Sequence, residues 1–134
     1  PAEAEAGERL AAAWGGGINA AGALSVKKTA ALLSRCRFHI GLDTGTTHLA
    51  AAAGTRCFSI YGGRNNPGLW YPIGPDHSIV HHPVACSPCR SETCRVPGHP
   101  CMTRITVDDI WPTLMEFMNE ETRPRDLRVI EVSK

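Results

Sequence analysis

The sequence predicts an α/β fold built on a parallel sheet, and three observations carry that prediction. Helix-like and strand-like segments alternate along most of the chain, the rhythm of strands joined by crossover helices. One strand-like run ends in an acidic, Gly-containing turn and passes straight into a helix of small residues, residues 40–54. The 134-residue length and the balance of 43% hydrophobic to 20% charged residues are those of an ordinary globular domain with a modest core.

Taken in order, residues 3–14 are Ala-rich, with Leu10 and Trp14 one helical turn apart, and read as a helix stopped by Gly15-Gly16-Gly17. Residues 18–20 are a short strand candidate. Ser25 reads as the N-cap of a helix to Leu33, with Val26, Ala30 and Leu33 on one face. Residues 37–42 read as a strand ending at Asp43, residues 46–53 as a helix closed by Gly54, and residues 56–61 as the next strand. A Gly/Pro/Asn loop covers residues 62–77, and residues 78–81 form another strand candidate. Residues 86–102 are cysteine-rich and irregular. Thr106 and Asp109 have capping-box spacing for a last helix to Asn119, and Pro112 argues for a start at Asp109, which puts the proline in the first turn. Two regions result: a domain over residues 1–119 that contains the Cys-rich loop 86–101, and a charged tail over 120–134. The tail is expected to be loosely ordered, with residues 127–132 able to pair with a strand outside the fragment.

Composition excludes several classes. The longest apolar stretches are far too short to span a bilayer. Nothing at the start resembles a secretion signal, and the opening Pro1-Ala-Glu-Ala-Glu reads as an internal boundary of a longer protein. The net charge of +1 is unevenly spread: between Ala21 and Val107 nine Lys or Arg stand against three acids, Asp43, Asp76 and Glu92. A basic middle suits a phosphate-bearing ligand, or is an uneven solvated surface.

The turn at Asp43 carries the most chemistry. Open parallel sheets bind ligands beyond the carboxyl ends of their strands. The helix that starts here offers free backbone N–H groups, from about Gly45 to His48, to an anion. Thr44, Thr46 and Thr47 add hydroxyl donors. Asp43 disfavours a bare phosphate and suits sugar hydroxyls beside one, so the set fits a sugar joined to a diphosphate. Helix capping by Asp43 and Thr44 is the plain alternative, as is a buried structural role for His48.

Six cysteines fall into two groups. Cys36 and Cys57 sit in apolar runs and read as small buried hydrophobes. Cys86, Cys89, Cys94 and Cys101 have the spacing C-x2-C-x4-C-x6-C, which could close a tetrahedral structural site around zinc or iron, with His99 as a substitute ligand. Free thiols and disulfides are the alternatives, disulfides the weakest in a reducing compartment.

Leu42-Asp-Thr-Gly-Thr-Thr-His-Leu-Ala-Ala-Ala resembles the D-[ST]-G-x-x-H-[LT]-x-A-A signature of glycosyltransferase family 9, the ADP-heptose:lipopolysaccharide heptosyltransferase family. The likeness extends to the helix from Leu24-Ser-Val-Lys-Lys-Thr, to Gly54-Thr-Arg-Cys-Phe-Ser-Ile-Tyr-Gly, to the cysteine pattern and to the start of the last helix, about residues 1–119 in all. It implies the C-terminal half of a GT-B enzyme: a Rossmann-like, donor-binding domain whose first strand and whose partner domain, with the general base, precede residue 1. It also implies a donor such as ADP-heptose, a lipopolysaccharide-type acceptor, no organic cofactor, no nucleic acid, and a cytoplasmic location, with peripheral association at the inner membrane as an option. By position, Asp43 corresponds to the residue touching the donor sugar, Thr44, Gly45, Thr46, Thr47 and His48 to the phosphate-holding turn, Glu3 to the acid on the ribose, and Leu24 to the apolar residue on the base. The loop Gly62-Gly-Arg-Asn-Asn-Pro departs from the family's G-P-T-x-P. It places Arg64 near the expected cleft, where a guanidinium can hold a phosphate or carboxylate. Trp70 and Tyr71 read as a packed loop lid. Two other classes remain in view: a metal-knuckle interaction or nucleic-acid-binding module, and a GT-B nucleotide-sugar epimerase.

Overall fold

The computed structural model describes residues 2–119 and 127–133. The chain divides into two compact units, residues 1–32 and 33–134.

In the first unit, α1 (Ala2–Trp14) ends where expected, with Gly15 at φ 76° and the Gly16 N–H donating to the Ala11 carbonyl at 2.9 Å. The strand anticipated at residues 18–20 does not form. Asn19 Nδ2 instead donates to the Ala4 carbonyl (2.8 Å) and to Glu8 Oε1 (2.9 Å), binding this segment to α1. Gly7 makes the approach possible, since a Cβ there would lie 2.4 Å from Asn19 Oδ1. α2 (Val26–Leu33) opens on Ser25, whose carbonyl accepts from the Thr29 N–H at 2.8 Å and whose Oγ accepts from the Lys28 N–H at 3.4 Å.

The second unit holds the sheet. β1 (Phe38–Leu42), β2 (Arg56–Tyr61), β3 (Ser78–His81) and β4 (Arg128–Glu131) pair side by side in chain order, all parallel. Leu42 is opposite Ile60, so the strands ending near Asp43 and Tyr61 are neighbours, as the sequence predicts. α3 (Gly45–Ala52) joins β1 to β2, and α4 (Pro100–Thr103) and α5 (Val107–Asn119) lie between β3 and β4.

Successive strand residues serve opposite faces. Cys57 packs with Leu33 and Ala50 of the helices on one face. Phe58 packs with Val80, Phe117 and Val132 on the other, where the Phe117 ring stands edge-on to Phe38 and Phe58 at 6.0 and 5.5 Å. Both faces are therefore covered, which is why β2 and β3 read as nearly continuous buried runs. Two guanidiniums close the carboxyl end of α5: Arg37 donates to the Met118 carbonyl (2.7 Å) and Arg56 to that of Phe117 (3.2 Å).

Three further expectations are corrected. α5 starts at Val107 and contains Pro112 in its interior, because the Thr106–Asp109 box forms in full: Asp109 Oδ2 accepts from the Thr106 N–H and hydroxyl at 3.1 and 2.6 Å. Residues 100–102, anticipated as the irregular end of the cysteine-rich stretch, lie in the short helix α4 (Pro100–Thr103), with Pro100 in its first turn. Residues 128–131 need no outside strand, because β4 pairs with β3 in register, His81 opposite Glu131. The expected loose tail falls mostly on residues 120–126, outside the described residues.

Candidate functional site

The turn after β1 is locked from inside. Thr47 is fully buried, and its hydroxyl donates to the Leu42 carbonyl at 2.7 Å. That hydroxyl also accepts from His39 Nε2 at 3.1 Å, which fixes the imidazole tautomer. Burial lowers the His39 pKa and so favours the neutral ring, whose proton then sits on the donating Nε2. Gly41 makes room for the pair, since a Cβ there would stand 2.5 Å from His39 Nε2. Thr47 therefore ties helix to strand and does not offer its hydroxyl to a ligand.

Asp43 projects at the strand end, its carboxylate held at two points. Asn65 Nδ2 donates to Oδ2 at 3.3 Å, and His48 Nε2 lies 3.9 Å from Oδ1. The His48 ring meets Trp70 edge-on, with centroids 6.3 Å apart. Thr44 is the N-cap of α3 in extended conformation, and its side chain makes no cap hydrogen bond. Its carbonyl takes the N–H groups of Thr47 (3.1 Å) and His48 (3.4 Å). The expected run of four free amides is thereby reduced to two, Gly45 and Thr46, for which no acceptor is found among the described residues. Gly45 is the first residue of α3 and not a left-handed turn. A Cβ at Gly45 would meet nothing within 4 Å. Neither backbone conformation nor packing among the described residues requires glycine there.

Asp43 and Thr44 border a cleft of about 520 Å³ beyond the ends of β1 and β2, floored by Leu42 and Ile60. Arg64 lines it too, so the structure brings Asp43, Thr44 and Arg64 together. The Arg64 guanidinium stands 3.6 Å from Glu92 Oε1, with both side chains exposed. The cysteine-rich loop forms the remaining wall. It is pinned to the chain leaving β2 by two backbone bonds, Cys89 N–H to the Gly63 carbonyl (3.1 Å) and Arg90 N–H to the Arg64 carbonyl (2.9 Å). Close contact explains both glycines: a Cβ on Gly62 would meet Met102 Sδ at 3.2 Å, and one on Gly63 would meet Val84 and Ser87 at 3.2 Å.

Cys86, Cys89, Cys94 and Cys101 all line this cleft as free thiols, Cys101 buried and the others exposed. Among the described residues no three His, Cys, Asp or Glu side chains converge closely enough to hold a metal ion. The thiols are spread along the wall. Cys94 Sγ turns to the Val96 carbonyl at 3.4 Å, and Cys101 sits on α4 with its Cβ 3.4 Å from the Cβ position of Gly63.

Glu3 is exposed in the first turn of α1, and Leu24 lies in the turn before α2 at 36% exposure, both in the first unit. The sequence reading missed Asn65, the hydrogen-bond donor to Asp43. It sits in the loop after a parallel strand, the position where the crevice rule places ligand-facing residues. Among the described residues, no helix is long and apolar enough to cross a membrane.

Comparison with known proteins agrees with this geometry. The model of glycosyltransferase family 9 (heptosyltransferase) matches residues 1–99. Lipopolysaccharide heptosyltransferase 1 of Pseudomonas aeruginosa is 37% identical over 71 residues, 53% of this chain and 20% of that protein. The chain thus matches about a fifth of that relative's length. No solved structure gave a match. The chain, with its parallel sheet and its Asp-Thr-Gly-Thr-Thr-His turn at a strand end, belongs to glycosyltransferase family 9.

Proposed function

We propose that the chain is the donor-binding part of a two-domain GT-B heptosyltransferase that transfers a sugar from a nucleotide-diphospho-sugar, ADP-heptose or a close analogue, to a lipopolysaccharide-type acceptor in the cytoplasm. The observation that carries this reading is the pairing at one strand end of a fixed carboxylate, Asp43, with the amides of Gly45 and Thr46, for which no acceptor is found among the described residues, beside open space at Gly45. In this reading the Gly45 and Thr46 N–H groups meet the diphosphate at the positive end of α3. Thr44 and Thr46 add hydroxyls. Asp43 accepts from the sugar hydroxyls, with Asn65 and His48 preventing it from swinging into the anion. Arg64 faces the same cleft and can exchange its exposed partner Glu92 for a phosphate.

Catalysis would rest on holding the donor and on stabilising the departing diphosphate as the bond from the anomeric carbon to its oxygen breaks. The acceptor oxygen forms the new bond, and its proton passes to a base in the partner domain. Glu3 and Leu24 are proposed to hold ribose and base.

The test is Asp43→Ala in the full-length enzyme. Turnover should fall about 10²-fold, the usual cost of a misplaced substrate. Stability should fall by only about 1 kcal/mol, as for a lost helix cap. A lower melting temperature with normal activity per folded molecule would instead make Asp43 a structural residue.

A further inference from the structure

Beside the Asp43 cleft lies a second pocket of about 250 Å³, at the carboxyl ends of β2, β3 and β4. That is just below the roughly 300–1,000 Å³ of pockets that take drug-sized ligands, so it suits a single ring. Its lining is of two kinds. Trp70 and Tyr71 supply aromatic surface, and this wall is fixed. The buried Tyr61 hydroxyl donates to the Trp70 carbonyl at 2.7 Å, and the Tyr61 and Tyr71 rings pack edge to face at 5.1 Å. The polar lining comes from Asn65, Asn66, His81, His82, Ser87 and Glu131. His81 and Glu131 are register partners on adjacent strands, and their side chains meet at 3.6 Å, Nε2 to Oε1.

Charge separates this pocket from its neighbour. Arg64 and Arg95 line the Asp43 cleft, whereas among the described residues no Lys or Arg lines the second pocket, and the one carboxylate there, Glu131, would repel a phosphate. Two carboxamides, two imidazoles, a hydroxyl and a carboxylate together offer the donors and acceptors that a ring of hydroxyls requires. The aromatic wall offers a surface for the apolar C–H face of such a ring.

We propose that this pocket is a binding site for a neutral, hydroxyl-rich ring, one uncharged sugar unit, distinct from the phosphate-binding turn. Asn65 joins the two sites: it lines the pocket and donates to Asp43 Oδ2 at 3.3 Å. A sugar held here sits one side chain from Asp43. The site requires no phosphate or nucleotide and stands apart from the donor reading.

The test is a titration of the ¹⁵N-labelled 134-residue chain with the uncharged methyl glycosides of mannose, galactose and glucose, followed by NMR. At least one should give saturable shifts of the Trp70 indole N–H and the Asn65 and Asn66 side-chain amides, with Kd on the order of 1–10 mM. Trp70→Ala and Glu131→Gln should each weaken that binding about tenfold, the former by loss of the aromatic surface and the latter by loss of a charged acceptor. Both side chains are more than half exposed, so neither change threatens the fold, and each variant is an independent test. Absence of saturable shifts with all three glycosides, or binding untouched by both substitutions, overturns the site. Inorganic pyrophosphate keeps the two sites apart: a chain that binds it and no glycoside retains the Asp43 reading alone, and the reverse result retains only the sugar pocket.

Discussion

The Asp43 turn and the cysteine-rich loop face each other across one cleft, and both stand out in the sequence, yet they are built differently. The turn is held from within: Thr47 bridges strand and helix, His39 fixes Thr47, and Asn65 fixes Asp43. The loop's internal bonds are short-range, such as the Ser91 hydroxyl to the Cys89 carbonyl and the Thr103 hydroxyl to the Gly98 carbonyl. Two backbone hydrogen bonds and the close approach of Cys101 to Gly62 and Gly63 attach it, and among the described residues its thiols form no group close enough to hold a metal ion. Spacing along the chain is thus a weaker guide than spacing plus an element that fixes direction. Asp43 lies at the junction of a strand and a helix, whose geometries set where the side chain projects. Cys86, Cys89 and Cys94 lie in irregular chain, where the same intervals allow many arrangements.

Thr47→Val should break the turn and spare the loop. The change keeps the shape and removes the hydroxyl, leaving the Leu42 carbonyl without its side-chain donor and His39 Nε2 without an acceptor in a part-buried site. A loss of about 1–3 kcal/mol in urea unfolding is expected, with thiol reactivity of Cys86, Cys89 and Cys94 in the folded state unchanged. A loss near zero would mean that the turn is not held through Thr47.

A pH series sharpens the same point. Burial lowers the His39 pKa from its ordinary 6.5, so the unfolded chain takes up the proton first as pH falls. The stability tied to the neutral ring is complete above pH 6.5 and is lost below it, toward the lowered value in the folded state. His77 behaves the same way, mainly through burial, so some acid sensitivity persists without His39. His39→Gln keeps a donor for Thr47 and should flatten part of the decline between pH 7 and 5. Identical pH profiles for the two proteins would remove His39 from this account.

The loop should respond least. Cys86→Ser, Cys89→Ser and Cys94→Ser should each change stability by no more than about 0.5 kcal/mol, as for exposed positions without special contacts. A chelator should leave the melting temperature where it is. Stoichiometric zinc or iron in the purified protein, or collapse on chelation, would show that the four sulfurs converge after all.

How far the sequence carried this result depends on how local each signal was. β2 and β3 were read at their true bounds because buried β-rich runs flanked by Gly and turn residues have few other readings. The capping box of α5 was visible in Thr106 and Asp109, and misplacing its start came from weighting Pro112 over a box that outcompetes it. The strand expected at residues 18–20 failed because the Asn19 side chain reaches 15 positions back to Ala4, a pairing with no periodic trace. At the site, Asp43 and the glycine behind it were legible through motif and position. The burial of Thr47 and the bond from Asn65 depend on tertiary approach across 5 and 22 positions, which spacing alone does not reveal.

The central claim is that Gly45 is glycine for the sake of a ligand, and Gly45→Ala tests it most directly. A Cβ there meets no protein atom within 4 Å, and Gly45 lies in a helical conformation that alanine adopts freely. Stability should therefore be unchanged or should rise by about 0.4–1 kcal/mol from the lower entropy of the unfolded chain. Affinity for ADP, measured by calorimetry on the same preparation, should fall at least about tenfold, because the methyl group occupies the approach to the Gly45 and Thr46 amides. Unchanged affinity in the stable variant would contradict the claim and leave the turn as a helix start and nothing more.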